Sequence, residues 1–317
     1  MKDSSGKDEK RVDQRNSAGK MNARRQPRAE YGHDAPLSYN KYLRVPDLIQ
    51  LQICLSEPAH HDELLFITVH QTYELWFKQI LHELDAAARQ IEEDRLFAAV
   101  RALRRIIEIE KILLAQLHVL ETMTPFGFLE FRDRLKPASG FQSTQFREIE
   151  FTSGLKDEGL LACFEEDEFA LARLRARLEA PTLGELFFAL LRRRGFDAPP
   201  DDPTLDETAR RQRYRRRVQA VVELLTHHER LPAEFMLAES LIEHDEQFQL
   251  WRAHHVRMVE RMVGTKRGTG GSEGVNYLRT TLDQKFFPEL WEARTHLTLD
   301  HAEGSCPFHS TAERRNA

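Results

Sequence analysis

The residues best placed for chemistry in this chain are two histidines, an arginine and a cluster of glycines. In "WRAHHVRMVERMV", residues 251–263, His255 has Phe248, Trp251, Met258, Val259 and Met262 at i−7, i−4, i+3, i+4 and i+7. On a helix these form one continuous apolar stripe. His254, next to it, faces Leu250, Arg257 and Arg261, so one of the pair points to the core and the other to the rim. A lone imidazole on such a stripe has two readings, a hydrogen-bonded core residue or a ligand to a metal or heme. His70 lies midway along "HDELLFITVHQTYELWFKQILHEL", with Phe66 at i−4, Tyr73 at i+3 and Phe77 at i+7. That segment is apolar nearly all round, as a central helix should be. Two histidines at the centres of two buried helices, near aromatics, suit a flat apolar cofactor with one axial protein ligand and one distal hydrogen-bonding residue.

The arginine is in "ETMTPFGFLEFRDRL", where Thr124 is an N-cap and Pro125 the first helical residue. Arg132 shares a face with Phe128, Leu129 and Leu135, whereas Arg134 has Glu130 at i−4, the spacing of a surface ion pair. A guanidinium on an apolar face needs an anionic partner, either a protein carboxylate or the carboxylate of a ligand held by two parallel bonds. The glycines fall in "GTKRGTGGSEG", residues 264–274, which holds five of the chain's 15. This is no dinucleotide fingerprint, because it follows a helix rather than a strand, and it lacks the Gly-Lys-Ser/Thr ending of a P-loop. Its backbone amides and the Thr269 hydroxyl suit a lid that meets a polar ligand group.

The other histidines read as ordinary. His82 has Lys78, Gln79 and Asp85 around it, and His227 and His228 stand at a helix end, where a cation is comfortable.

The elements that must position these residues are helices. Apolar residues recur at three- and four-residue spacing over roughly 46–56, 60–92, 95–122, 125–136, 156–178, 183–194, 206–228, 233–263 and 283–298, and strand-like alternation is scarce. The fold class expected is all-α, a helical bundle enclosing a pocket, with the Gly-rich loop near its C-terminal end. Residues 1–34 are polar and mixed in charge, too poor in apolar side chains to offset their ordering entropy, and read as a disordered tail. Residues 301–317 read as a second tail. The span 35–300 is taken as a single domain in which 155–230 is a small helical elaboration.

Composition bounds the class. At 317 residues, with 41% hydrophobic and 31% charged side chains, the chain can build a sizeable core. A formal net charge of −5 gives no reason to expect nucleic acid as a partner. No apolar run reaches the roughly 18 residues of a membrane span, and the N-terminus lacks a secretory signal. Cys54, Cys163 and Cys306 are odd in number and widely spaced, which fits reduced thiols in a cytoplasm. The basic run Arg210, Arg211, Arg213, Arg215, Arg216 and Arg217 reads as a solvated helix face neutralised by Asp201, Asp202, Asp206 and Glu207 upstream.

Two rival classes explain less. A di-metal carboxylate bundle needs Glu-x-x-His on core helices, and that spacing occurs only at Glu30–His33, in the tail, and at Glu57–His60, across Pro58. A non-catalytic scaffold leaves His70, His255 and Arg132 unexplained.

Four segments in order, "LSEPAHHDELLFITVHQTYELWFKQILHEL", "VLETMTPFGFLEFRDRLKPASGFQSTQFRE", "WRAHHVRMVERMVG" and "GTKRGTGGSEGVNYLRTTLDQKFFPELWEART", resemble the tryptophan 2,3-dioxygenase family over roughly residues 37 to 298. "ASGFQS" and "GTGGS…GVNYL" are its most specific motifs. The resemblance implies heme b, one per subunit, on a proximal His255, with His70 as the distal catalytic histidine beside the substrate indole nitrogen. It implies that Phe66 lines the indole pocket, that Arg132 grips the tryptophan carboxylate, and that Thr269 meets the amino-acid end. Ser139 and Gly140 fall beside heme and substrate. It further implies a homotetramer in which Tyr39, Tyr42 and Leu43 of a neighbouring subunit complete the site. The reaction implied is addition of both atoms of O2 to the pyrrole ring of L-tryptophan, giving N-formyl-L-kynurenine, the first step of tryptophan catabolism by the kynurenine pathway. The Gly-rich loop becomes a substrate-closing lid.

Two positions depart from the family pattern. Phe128 stands where some members have a tyrosine contacting the substrate carboxylate, a loss of one hydrogen bond worth about 1 kcal/mol. Glu273 replaces a common serine in the loop and is expected to point outward.

Overall fold

In the computed structural model, which describes residues 37–270 and 273–298, the chain is built from helices, and no strand occurs among the described residues. The chain divides into two units, Met1–Leu51 and Gln52–Ala317. The first holds two short helices, α1 (Tyr39–Leu43) and α2 (Val45–Leu48). Ser38 caps α1 through its hydroxyl, and Arg44 breaks the chain between the two by taking a left-handed conformation (φ 53°). Every large apolar side chain described in this unit apart from Val45, namely Leu37, Tyr39, Tyr42, Leu43, Leu48, Ile49 and Leu51, is exposed.

The second unit carries α3 (His61–Glu92), α4 (Leu96–Leu120), α5 (Pro125–Arg132), α6 (Thr144–Ser153), α7 (Glu168–Glu179), α8 (Leu183–Arg193), α9 (Glu207–Thr226), α10 (Pro232–Val263), α11 (Val275–Thr280) and α12 (Pro288–Ala293). Only Glu93, Asp94 and Arg95 separate α3 from α4, so the two helices must run antiparallel. Ile80, Leu84, Ala87 and Ile91 of α3 and Ala99, Leu103 and Ile106 of α4 recur at helical spacing and are buried. Helix α10 packs on α4 through Leu237, Ala238, Leu241 and Phe248. A smaller cluster of Phe151, Phe164, Ala170 and Leu174 joins α6 to α7.

Several expected boundaries change. The expected helix over 46–56 reduces to α2, and the chain from Gln52 to His60 is not helical. Glu63, at the start of α3, captures this stretch: its carboxylate accepts from the Leu55 amide (2.6 Å), the Ser56 amide (3.0 Å) and the Ser56 hydroxyl. The span 156–178 is a 3₁₀ turn (Glu158–Phe164) followed by α7, and 283–298 is helical only from Pro288. Helix α6 was not expected at all. Its buried face carries Arg147, Glu148 and Glu150 beside Ile149 and Phe151, so apolar periodicity does not announce it.

The basic run on α9 is largely neutralised as read: Arg213 pairs with Asp201, Arg216 with Asp197 and Arg211 with Glu207. Arg217 is the exception to the solvated face. It is buried, lies over the Phe188 ring at 4.5 Å, and holds Asp201 at 2.9 Å and the Pro199 carbonyl at 2.8 Å. The tails at 1–34 and 301–317, with Cys306, lie outside the described residues. No single helix among the described residues is long and apolar enough to cross a membrane.

Burial by itself would raise the Glu63 pKa, but the Ser56 hydroxyl, the Leu55 and Ser56 amides and the field of Arg134 outweigh it and hold the carboxyl below its ordinary value. A depressed folded pKa means stabilisation that is present above the unfolded value and lost as pH falls through the folded one. Glu63→Gln is therefore expected to lower unfolding free energy at pH 7 by about 1–3 kcal/mol. In urea titrations the gap from wild type should shrink as pH is taken below the ordinary carboxylate range; a gap independent of pH would show that the charge is irrelevant.

Candidate active site

His70 projects from the middle of α3 into a recess. Protein surrounds its ring on most sides, yet solvent-sized space reaches it. Its Nδ1 lies 2.7 Å from the Phe66 carbonyl oxygen. A carbonyl can only accept, so Nδ1 carries the proton and Nε2 presents a lone pair. Burial lowers the His70 pKa against the raising effects of the Phe66 carbonyl and Glu74, which keeps the ring neutral at pH 7.

An aromatic wall adjoins it. The Phe66 ring is 4.0 Å from the His70 ring and 5.6 Å from both Phe128 and Phe131. Phe131 is fully buried and meets Phe128 edge-on at 5.4 Å, which fixes the wall from behind. The sequence reading missed Phe131, although three phenylalanines within "FGFLEF" were the available signal.

Helix α5 begins as its sequence requires, with the Thr124 hydroxyl accepting from the Gly127 amide at 3.0 Å and Pro125 at the first position. It ends at Arg132, and Asp133–Leu135 tighten into a 3₁₀ turn. That turn takes Arg134 off the i+4 position, and Glu130 pairs with His60 Nε2 at 2.9 Å instead of with Arg134. Arg132 is half-buried and donates through Nη2 to the Arg267 carbonyl. Among the described residues it forms no ion pair, so the guanidinium keeps donors for an anion that the protein itself does not supply.

The Gly-rich loop reaches the same region. The Thr269 hydroxyl donates to the Ala138 carbonyl at 2.6 Å, and a Cβ on Gly270 would stand 2.6 Å from the Ser139 Cβ. Gly274 closes the loop with a left-handed φ of 63°, its Cα facing the Lys266 carbonyl so closely that a Cβ would lie 2.5 Å from that oxygen. Ser139 caps the turn Gly140–Gln142, accepting from the Phe141 amide at 3.4 Å. Glu273 is exposed, and residues 271 and 272 lie outside the described residues.

His255 projects from α10. Its ring stacks on Trp251, one turn earlier, at 4.9 Å and 6° between planes. Among the described residues neither ring nitrogen has a hydrogen-bond partner. Burial, reinforced by the field of His70, pushes its pKa down to about 4, so the ring is neutral and its nitrogens are unspent. His70 therefore lies near enough to His255 to act on it electrostatically. Trp251 Nε1 in turn donates to the Tyr73 hydroxyl at 3.3 Å, and Tyr73 donates to the Leu113 carbonyl at 2.6 Å. Tyr73 and Trp251 were seen in the sequence only as apolar neighbours.

The donor set fits a heme: a neutral imidazole on α10 whose nitrogens have no partner among the described residues, with a second neutral imidazole near it beside an aromatic wall. Phe66, His70 and Phe128 come together in one wall, and Arg132, Ser139, Gly140 and Thr269 around the loop contacts. Tyr39, Tyr42 and Leu43 belong to the N-terminal unit and are exposed there. The class defined is an all-α protein that brings two neutral imidazoles, an aromatic wall and a guanidinium without a carboxylate partner among the described residues to its central helices and Gly-rich loop.

A sequence model of the tryptophan 2,3-dioxygenase family matches residues 24–177 and 192–297, so the chain belongs to that family. It is 49% identical to a tryptophan 2,3-dioxygenase of Nocardioides sp., over 83% of this chain and 96% of that protein. It is 42% identical to one of Serratia proteamaculans (82% and 93% covered) and 44% identical to one of Xanthomonas euvesicatoria (83% and 89%). The basic stretch on α9 lies inside the matched span.

The packing of Gly270 on Ser139 makes a mechanical prediction. Gly270→Ala should displace the loop and speed tryptic cleavage after Lys266 or Arg267 by about fivefold or more, because overpacking costs roughly 1–3 kcal/mol and cleavage follows the open population. Ser139→Gly in the same chain should restore resistance. If the double variant is cut as fast as the single one, the two residues do not meet.

Proposed function

We propose that this protein converts L-tryptophan and O2 to N-formyl-L-kynurenine, with heme b, one per subunit, held on His255. The observation that carries this reading is the pair of neutral imidazoles, each with a ring nitrogen unbonded among the described residues, beside an aromatic wall and an arginine with no anionic partner among those residues. When bound, heme supplies the electronic chemistry that lets spin-paired tryptophan react with dioxygen, both of whose atoms enter the product.

The protein's own residues do the rest. Phe66 and Phe128 form the face against which the indole lies. The His70 Nε2 lone pair accepts the indole N–H, since Nδ1–H is committed to the Phe66 carbonyl. A neutral imidazole is too weak a base to remove a proton from an indole N–H, so His70 orients the ring rather than deprotonating it. Arg132 holds the substrate carboxylate with its forked donors. Thr269 meets the amino-acid end, while Ser139 and Gly140 lie beside heme and substrate. Anchoring the polar end fixes which edge of the indole faces the reacting oxygen, the orientation on which the rate depends. Phe128 offers no hydroxyl to the carboxylate, so the charge recognition rests on Arg132.

The active assembly is a homotetramer in which Tyr39, Tyr42 and Leu43 of a neighbouring subunit close the pocket. Support comes from the exposure of those side chains and of Leu48, Ile49 and Leu51, more apolar surface than so short a unit can leave in water. An apolar groove on α3 and α4 lined by Leu75, Trp76, Ile109 and Ile112 offers further subunit contact. A cytoplasmic setting agrees with the free thiols of Cys54 and Cys163.

The test begins with protein produced with ample heme. Reduced protein in air should turn L-tryptophan into N-formylkynurenine, read from product absorbance; heme-loaded protein that forms none would sink the assignment. His255→Ala should lose stoichiometric heme, seen as loss of the Soret band, while His254→Ala keeps it. If both variants retain a full band, the axial assignment is wrong.

Arg132→Leu should lower kcat/KM for tryptophan about thirtyfold or more with heme content unchanged, since stripping one partner from a buried charge pair costs about 2–5 kcal/mol. Lysine should restore only part, because a point charge cannot reproduce the fork. Tryptophan amide gives the control: wild type should strongly prefer the acid, and Arg132→Leu should nearly lose that preference. A preference kept at the wild-type margin would make Arg132 a structural residue.

A further inference from the structure

Where α4 ends against α10, a second constellation stands apart from the pocket described above. His118 and Glu121 lie three residues apart at the C-terminal end of α4, on one face, and His254 reaches them from α10. His118 Nδ1 is 3.2 Å from Glu121 Oε2, and His254 Nε2 is 3.1 Å from Glu121 Oε1. The two imidazoles meet edge to face at 4.7 Å. All three ligand atoms fall within 4.8 Å of one another. From these positions we infer that His118, Glu121 and His254 form a site for a divalent transition-metal ion of the zinc type.

Three observations carry it. The first is spacing. Ligand atoms bound at about 2.0–2.1 Å in a tetrahedron stand about 3.4 Å apart, and both N···O separations here already lie near that value. The second is the chemistry of the donors. Two imidazole nitrogens and one carboxylate oxygen suit zinc and its neighbours, and suit magnesium or calcium poorly because those prefer oxygen alone.

The third is the company Glu121 keeps. Three other carboxylates at helix interfaces are held by arginines, Glu148 by Arg173 and Arg177, Glu150 by Arg147 and Arg252, Glu234 by Arg194, while the enclosed Glu110 has His244. Glu121 pairs with two imidazoles and, among the described residues, with no arginine or lysine. A dication held among the three would add a full positive charge beside that carboxylate. His118 is exposed, so the fourth coordination position opens to water and the ion can enter without unfolding the protein.

Such an ion ties the end of α4 to α10 one residue before His255. It is a clasp on the helix that carries the axial histidine, on the side of α10 turned away from the apolar stripe. The inference stands on its own residues and holds whether or not His255 carries heme.

The test uses the full-length protein as purified, freed of loose metal with a chelator and then dialysed against Zn2+. Bound zinc is measured by elemental analysis, which separates it from heme iron. Wild type should bind one more zinc per chain than a His118→Ala/His254→Ala variant, and calorimetry should show Glu121→Gln weakening that binding by about tenfold or more. Zinc should also raise the melting temperature of wild type and not of the double variant. Mg2+ at the same concentration should do neither. Subtracting the double variant removes zinc taken up elsewhere on the chain. If wild type and the double variant bind equal zinc, or if Mg2+ displaces it, the cluster is an ordinary hydrogen-bonded surface group and the inference fails.

Discussion

The geometry of the pocket depends on one buried hydroxyl. Tyr73 accepts from Trp251 Nε1 on α10 and donates to the Leu113 carbonyl on α4, while its own backbone belongs to α3. Its ring is nearly fully enclosed, and burial raises its pKa to about 12, so it remains a donor at any physiological pH. A hydroxyl with one bond accepted and one donated is committed in direction, and here it commits three helices to one another. His70 sits three residues before Tyr73, and His255 sits four residues after Trp251, against whose face it stacks. The turns that carry the two imidazoles are therefore tied together, because a tyrosine one turn from one of them is bonded to a tryptophan one turn from the other.

Around this junction the interior is unusually polar, and the polar groups answer one another. Asp245 accepts from the Phe286 and Phe287 amides and from Trp291 Nε1 at 2.9–3.1 Å, pinning the chain before α12 to α10. Arg252, buried on α10, bonds Glu150 on α6 and the Gln284 carbonyl. Further along α10, His244 bonds Glu110 at 2.8 Å through Nδ1 and Ser153 at 2.9 Å through Nε2. The residue types are those of a hydrolytic triad, but all three side chains are enclosed and no substrate could reach the serine. They serve instead to fix the register of α10 against α4 and α6. Unpaired, each of these charges would cost several kcal/mol, so their pairing constrains the fold more tightly than apolar contacts alone would.

The recess also has a polar edge built from two distant stretches of chain. Arg132 comes from the end of α5 and Thr269 from the Gly-rich loop, and each is bonded to the other's segment or its neighbour: Arg132 to the Arg267 carbonyl, Thr269 to the Ala138 carbonyl. A guanidinium with one carbonyl acceptor and, among the described residues, no carboxylate is incompletely satisfied. The loop's contacts are a few hydrogen bonds and a glycine pressed on a serine rather than a buried apolar face, the kind of attachment that can open and reform.

The amino-acid order alone determined the helical class, the extent of the long helices and the identity of the pocket's chemical groups. Each follows from local physics: apolar residues at helical spacing mark α3, α4 and α10, Thr124 and Pro125 mark the start of α5, and an imidazole on a continuous apolar stripe marks His255. Tertiary structure alone decided α6, whose buried face is charged and becomes acceptable only where Arg252, Arg173 and Arg177 arrive from other helices. It likewise decided that Arg217 lies in the interior, that Glu130 turns to His60, and that the segment from Gln52 to His60 folds over Glu63 instead of continuing as helix. His118, Glu121 and His254 show the same division: helical spacing brings His118 to Glu121, and His254, 133 residues further along, meets them only in the folded chain. Burial of an apolar stripe is favourable wherever the helix finds a core, so periodicity reveals it. A buried charge is favourable only beside its partner, and where the partner will be is a property of the folded chain.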